Sequence, residues 1–482
     1  MSAPVAAAGP SAAPAPPTER ASGWRAAVAR VRGLRALAAV CDLLPPRLRY
    51  GHARTVARTV LGHAEVPGLA APGARSAVGA PAGPDARASA GAAPGAGAPA
   101  PAGADLTCVL LAGGLDVGGV EAVVETLARG LPDQGVRTVV VGASGGRTAD
   151  RLRAAGITVH LPGPAGLAGL LADLAPDVVQ VHDASAAAAV ADWGGPAVWV
   201  AHNLEIHRRP AEWAVVGAAC ARALAVVAVS DAVARHHSRH TGADRGDTAV
   251  IPNGVGELAV GPARDEARAA LADVVPLEPG DLVVVSLARY DAQKNVPGLV
   301  RSFARALRAE PRLRLVVAGG VADVVEHRWA DAERVASGAS ARVHLLGPSD
   351  SATLLAAADA FVLGSFFEGW SVAATEAVVA GLPVVLSDVG GAAELAALAP
   401  GRVTVVPPPT GDAPLTDGAV RAARRRRHQD NEEALAAALA GLPARVGSVA
   451  PDEGLVAVLS AEEMVARHAA LLRDVTGRTG TR

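Results

Sequence analysis

The stretch DLVVVSLARYDAQKNVPGLVRSFARALRAEPRLRLVVAGG (281–320) decides how this 482-residue chain is read. It opens on a short continuous apolar run, passes through a polar loop, and enters VPGLVRSFARALRA, where apolar residues recur at helical spacing. A second apolar run, LRLVVA, follows. Short apolar strands alternating with helices indicate a parallel sheet covered on both faces.

The same texture extends in both directions. Downstream, RVHLLG (342–347), AFVLGS (360–365), PVVLSD (383–388) and RVTVVP (402–407) read as further strands separated by helical stretches. Upstream, LTCVLLA (106–112), VRTVVVGA (136–143), PDVVQVH (176–182), AVWVAH (197–202), ALAVVAVS (223–230) and TAVIPN (248–253) form an earlier series. A linker-like helix, PARDEARAALADV (262–274), divides the two. Two such series in tandem predict an α/β protein with two Rossmann-like domains facing across a cleft, over residues 105–260 and 261–455. A final helix within 456–482 is expected to cross back to the first domain.

Residues 1–19 and roughly 71–104 are rich in Ala, Pro and Gly and read as flexible linkers. Between them, about 20–64, GWRAAVARVRGLRALAAVCDLL and RLRYGHARTVARTVLGHA repeat Arg every three or four residues. These are basic amphipathic helices, suited either to packing on the main body or to peripheral contact with an anionic membrane.

Composition narrows the class. Half of the residues are hydrophobic, enough for two cores, but only 2% are aromatic, so Val, Leu and Ala must build them. A net charge of -2 gives no reason to expect nucleic acid. The three cysteines are odd in number and lack a CxxC pair, against a disulfide framework or zinc site. No apolar run reaches the length of about 18–20 residues that a spanning helix needs. No basic region precedes the apolar residues at the N-terminus, so a signal peptide is not expected and a cytoplasmic setting is.

Open parallel sheets bind ligands at the carboxyl ends of their strands. After the first strand comes GGLDVGGVE, where Gly118 and Gly119 open a helix and can offer N–H groups and the positive dipole end to a phosphate. Such a turn also serves simply to shape backbone, and it is not the GxGxxG of dinucleotide sites. Arg289 and Lys294 follow the first strand of the second domain by one loop. Lys294 is the only lysine among 45 basic residues. A chain that otherwise uses Arg keeps Lys where a compact ammonium is wanted, and a diphosphate suits both groups. In EGWSVAATE (368–376), Glu368 leaves a strand toward the cleft, Ser371 is the expected N-cap, and Glu376 lies in the second helical turn. From spacing alone, two surface glutamates remain an alternative. Gly390 and Gly391 make a third glycine turn after the next strand, and His202 and His182 each end a strand of the first domain, where a structural histidine is the commoner case.

Together GGVE, VIPNGV, RYDAQKN and EGWSVAATEAVVAGLPVVLSDVGG resemble the retaining glycosyltransferases of family 4, which have the GT-B fold, over roughly residues 106–475. The resemblance implies a nucleotide-diphospho-sugar donor held by the second domain and an acceptor held by the first. It places Arg289 and Lys294 on the diphosphate, Glu376 on the ribose, Gly118 and Gly119 near the phosphates, and Glu368 and His202 beside the transferred sugar. Ser371 and Gly390 fall within the donor motif, and His182 is a weaker candidate on the acceptor side. Two departures stand out: Gly256 replaces the usual acidic residue after Asn253–Gly254–Val255, and Ser371 stands where proline is common. No Asp-x-Asp occurs, so neither a chelated metal nor another cofactor is expected. The segment 411–432 reads as an insertion with a solvated basic run. An acceptor-independent relative, such as a nucleotide-sugar epimerase or hydrolase, and a silent sugar-nucleotide-binding scaffold are the rival readings.

Overall fold

The computed structural model describes residues 17–42, 66–71, 106–116, 118–162, 166–243, 248–256, 261–447 and 453–479. The second basic stretch (47–64) and nearly all of the linkers expected at 1–19 and roughly 71–104 lie outside them, but residues 17–19 begin a helix and are not linker.

Two parallel sheets form the body. The first contains β1 (Leu106–Gly114), β2 (Val136–Ser144), β3 (Val159–His160), β4 (Val178–Val181), β5 (Ala197–Ala201), β6 (Ala225–Ala228) and β7 (Thr248–Val250), in the order β3-β2-β1-β4-β5-β6-β7. The second contains β8 (Leu282–Leu287), β9 (Leu313–Ala318), β10 (Val343–Leu346), β11 (Ala360–Leu363), β12 (Val384–Ser387) and β13 (Val403–Val406), ordered β10-β9-β8-β11-β12-β13. Each strand read from the sequence is present. β3 was not anticipated, because two residues are too short to produce an apolar run.

All pairings between strands are parallel, and central strands such as β4, β9 and β11 are buried along their whole length. That is why they are written in Val and Leu without polar alternation. In each sheet the strand order reverses once, between β1 and β4 and between β8 and β11. The loops leaving these strands diverge there and open a crevice.

The C-terminal helix Ala461–Thr479 returns to the first lobe. Met464, Val465, Ala469, Leu472 and Val475 are buried in one cluster with Val123, Val124 and Leu127 of the helix Gly119–Gly130. The return is anchored where Val255 donates to Leu459 O (2.9 Å) and accepts from the N–H of Ala461 (2.7 Å). A β-carbon on Gly254 would lie 2.1 Å from the Ser460 carbonyl oxygen, so only glycine lets the two segments approach so closely.

The N-terminal helix Pro17–Cys41 packs on the second lobe. Ala27, Val31, Leu34 and Ala38 recur every three or four residues and are buried, the last three in a cluster with Val325, Trp329 and Ala332 of the helix Val324–Ala336. Arg35 pairs with Glu333 (3.3 Å), and at the end of the helix buried Asp42 pairs with Arg424, which also pairs with buried Glu326. The basic run is therefore only partly solvated: Arg425, Arg426 and Arg427 are exposed, whereas Arg424 is buried as the cation between two carboxylates. Further along, Pro67 O accepts from the Gly347 N–H (2.9 Å) and Leu69 O from the Asp350 N–H (2.8 Å), binding the extension to the loop after β10. Among the described residues, no helix is long and apolar enough to cross a membrane.

Candidate functional site

The two switch points face each other across a cleft of about 730 Å³. Gly118, Gly119, His182 and His202 line it from the first lobe. Arg289, Lys294, Glu368, Ser371 and Glu376 line it from the second. The structure thus brings together nine of the ten candidates. Gly390 is the exception. Its φ is +57°, and a β-carbon there would lie 2.4 Å from the Glu368 carbonyl oxygen. It shapes the Glu368–Gly369 loop from behind and does not face the cleft, because the chain must pass in the left-handed region against that backbone.

On the second lobe, the β8 and β11 loops hold each other. Phe366 N–H donates to Gln293 O (2.8 Å), and Gln293 Nε2 donates to Phe367 O (2.9 Å). Gln293 Nε2 also reaches Glu368 Oε2 (3.3 Å), while Lys294 Nζ donates to Glu368 Oε1 (2.7 Å). Both carboxylate oxygens are thus occupied, and the lone lysine is partnered by the first glutamate of EGWSVAATE. Asp291 accepts from the Lys294 N–H (3.0 Å) and pairs with Arg289 (3.1 Å), whose side chain is half exposed. Asn295 holds the loop in a left-handed conformation (φ 52°), with its amide bonded to Gly364 O and reciprocally to Gln429. Asn tolerates that conformation better than most residues.

Ser371 caps the helix Val372–Val379, its side chain accepting from the Ala374 N–H (3.2 Å). Trp370 Nε1 donates to Thr375 Oγ1 (2.9 Å), and Thr375 Oγ1 donates to Ser371 O (3.0 Å), locking the first turn. The N-terminus of this helix and the carboxyl of Glu376 both border the cleft. Burial pushes Glu376 up to about 7. The two motif glutamates therefore differ: Glu368 is held by a lysine and an amide, and Glu376 is a half-buried carboxyl raised by desolvation.

On the first lobe, Gly118 precedes the helix Gly119–Gly130, whose positive end looks into the cleft. A β-carbon on Gly118 would strike the Glu121 carboxylate, while at Gly119 it would meet nothing. His202 and His182 are partners, with His202 Nε2 2.7 Å from His182 Nδ1. His182 is buried and His202 half-buried, and the two rings form one hydrogen-bonded pair. Burial lowers His202 to about 4 and His182 well below the usual histidine range. The lobes touch at this point. A β-carbon on Gly369 would lie 1.8 Å from the His202 carbonyl oxygen, so the EGWS loop rests directly on the first lobe.

Several residues at or behind the cleft escaped the sequence reading. Gln293 and Asp291 lie in the same loop as Lys294 but carry no motif of their own. Gln180, behind His182, left one readable trace as the only polar residue inside the buried strand VVQV.

Comparisons with known proteins agree with this architecture. Residues 117–256 match the model described as Glycosyltransferase Family 4, and residues 268–412 match Glycosyl transferases group 1, together more than half of the chain. Among curated proteins, a D-inositol 3-phosphate glycosyltransferase of Nocardia farcinica is 34% identical over 158 residues, covering 31% of this chain and 34% of that one. One of Segniliparus rotundus is 31% identical over 172 residues, covering 34% and 37%. The chain thus spans about a third of the length of the curated relatives it matches. Among solved structures, Anabaena HepE in complex with UDP-glucose aligns at TM-score 0.58 and 19% identity, covering 78% of this chain and 99% of that one. A sucrose-phosphate synthase of Thermosynechococcus elongatus aligns at 0.57 and 18%, covering 77% and 100%. These structures share the fold. With both family models matched in order and the two facing parallel sheets in place, the chain belongs to glycosyltransferase family 4 and has the GT-B fold.

Proposed function

We propose that this chain transfers a sugar from a nucleotide-diphospho-sugar donor to an acceptor, with retention of configuration and without a metal ion. The observation that carries this reading is the convergence of Arg289, Lys294, Glu368, Glu376 and a helix N-terminus at one switch point, opposite His202 and Gly118–Gly119 across a single cleft. The UDP-glucose bound to Anabaena HepE supports the donor class.

In this reading Arg289 and Lys294 hold the diphosphate, and the helix Val372–Val379 directs its N-terminal N–H groups at the same charge. Glu376 accepts from the ribose hydroxyls. Glu368 already uses Lys294 as its partner, so an arriving diphosphate shares that ammonium and leaves the carboxylate beside the sugar. The bond between the anomeric carbon and the phosphate oxygen breaks, its electron pair leaving with the diphosphate. The acceptor oxygen attacks from the face just vacated, and its proton passes to a phosphate oxygen of the leaving group. Negative charge grows on the diphosphate as this happens, so the two cations bind the transition state more tightly than the ground state. A covalent route needs a carboxylate at the anomeric carbon, a role that does not suit Glu368 while it is paired to Lys294. The acceptor enters from the first lobe, and the setting is cytoplasmic.

The test is release of nucleoside diphosphate from a panel of nucleotide sugars, with and without acceptors that include inositol phosphates. Acceptor-dependent release is expected. Equal release without acceptor points to a hydrolase or epimerase, and binding without turnover points to a scaffold.

A further inference from the structure

Gln180 is fully buried in β4, in register with Leu110 of β1 and Val198 of β5. Its neighbours on that face belong to the cluster that the C-terminal helix covers with Ala469 and Leu472. An amide in such a layer must find partners for both its ends. Gln180 does so with two histidines. Its Oε1 lies 3.1 Å from His182 Nε2, and its Nε2 lies 2.9 Å from Nδ1 of His468, a buried residue of the C-terminal helix. His182 Nδ1 then meets His202 Nε2 at 2.7 Å. The result is one continuous chain from the C-terminal helix to the cleft.

All three imidazoles are neutral at pH 7. Burial lowers His468 to about 3 and His202 to about 4, and lowers His182 well below the usual range. Asp183 pulls His202 upward while His237 opposes it, and Arg467 adds to the lowering of His468. Each neutral ring then has one N–H and one lone pair, so fixing the Gln180 amide fixes the entire chain. With Oε1 toward His182, His182 donates from Nε2 and accepts at Nδ1 from the Nε2–H of His202. Reversing the amide reverses every bond and moves the His202 proton to Nδ1. His202 Nδ1 is buried and, among the described residues, has no hydrogen-bond partner. A buried N–H without an acceptor is rarer and costlier than a lone pair without a donor, so the first polarity is favoured.

We propose that Gln180, His182 and His468 are positioning residues that hold His202 as its Nε2–H tautomer, leaving it only an acceptor, Nδ1, for a hydroxyl of the transferred sugar. The tautomer half stands on the apo geometry, while the hydroxyl half rests on the sugar-transfer reading above. His202 in this state selects a substrate group that donates, and it neither supplies nor removes a proton. The C-terminal helix thereby takes part in donor recognition without touching the donor.

The test begins without any ligand. In the full chain labelled with ¹⁵N-histidine, His202 is assigned by comparison with His202→Gln, and its Nε2 is expected to be protonated and its Nδ1 bare. A proton on Nδ1 overturns the proposal. Gln180→Leu removes both amide partners, so the His202 tautomers should mix and kcat/KM with UDP-glucose fall about tenfold, the size of one neutral hydrogen bond. The Kd for UDP should stay unchanged, because UDP lacks the sugar. Gln180→Glu keeps an acceptor toward His182 and should restore the tautomer and most of the rate. His468→Leu gives the same readout as Gln180→Leu should the latter not fold. An unaltered tautomer and rate in both leucine variants sinks the positioning role. Failure of the wild type to bind UDP or any nucleotide sugar overturns the hydroxyl half alone, since the tautomer is read in its absence.

Discussion

Lys294 Nζ lies 2.7 Å from Glu368 Oε1, across 74 residues of sequence, so the only ammonium side chain in the protein is paired with the first carboxylate of the EGWSVAATE motif. Both groups border the cleft and both are largely buried, so each is the other's charged partner there. Lys294→Ala should lower kcat about 10²–10³-fold, the usual effect of removing one electrostatic stabiliser. It also strands a buried carboxylate, so adding Glu368→Gln to Lys294→Ala should cost less than Glu368→Gln costs alone. Strict additivity in steady-state rates would show that the pair is not a unit.

Glu376 gives a pH signature. Burial holds its carboxyl at about 7, above the usual range, and ribose hydroxyls bind best to the ionised form. Binding must therefore expel a proton when Glu376 is protonated. Nucleotide affinity should strengthen as pH rises from 6 to 8, with proton release detectable by calorimetry in buffers of different ionisation enthalpy. Glu376→Gln should bind more weakly and with a flat profile. A slope that persists in the variant assigns the proton elsewhere.

Gly369 meets His202 across the lobes with no room for a side chain. Gly369→Ala should force the EGWS loop off the first lobe, since the new methyl would sit 1.8 Å from a carbonyl oxygen. We expect turnover to fall at least about tenfold while the variant remains folded by thermal denaturation, because a displacement of an ångström in a site costs rate before it costs stability. Wild-type turnover in a folded variant would mean that the observed lobe contact is not needed for the reaction.

The N-terminal helix is part of the second lobe. Removing residues 1–44 uncovers Val325, Trp329 and Ala332 and takes Asp42 from Arg424. Loss of the burial of Val31 and Leu34 alone should lower stability by about 3 kcal/mol, measurable by chemical denaturation. The exposed side of this helix carries Arg25, Arg30 and Arg32, with Leu37 and Val40 as its exposed large apolar side chains. Any cosedimentation with anionic vesicles should accordingly disappear as salt is raised. Salt-resistant binding would show instead that the exposed Leu37 and Val40 enter the lipid.

How much of this was legible without the fold differs from element to element. Strands buried on both faces are mostly apolar, with few polar exceptions such as Gln180, and that demand wrote both sheets into the sequence as runs of Val and Leu. Carboxyl-end loops in such sheets are where ligands bind, so Arg289, Lys294, Glu368 and Glu376 could be found by position and by the rarity of lysine. The two lobes and their cleft chemistry were thus local properties of the chain. Pairings between distant segments carry no such periodic signal. Gln180 meets His468 across 288 positions, and Arg424, written as one arginine in a run of four, is a buried cation because Asp42 and Glu326 converge on it. Which charges are neutralised, which histidine nitrogen carries the proton, and which amphipathic face is already occupied were decided only by tertiary structure, because each depends on desolvation by groups that are neighbours in space alone.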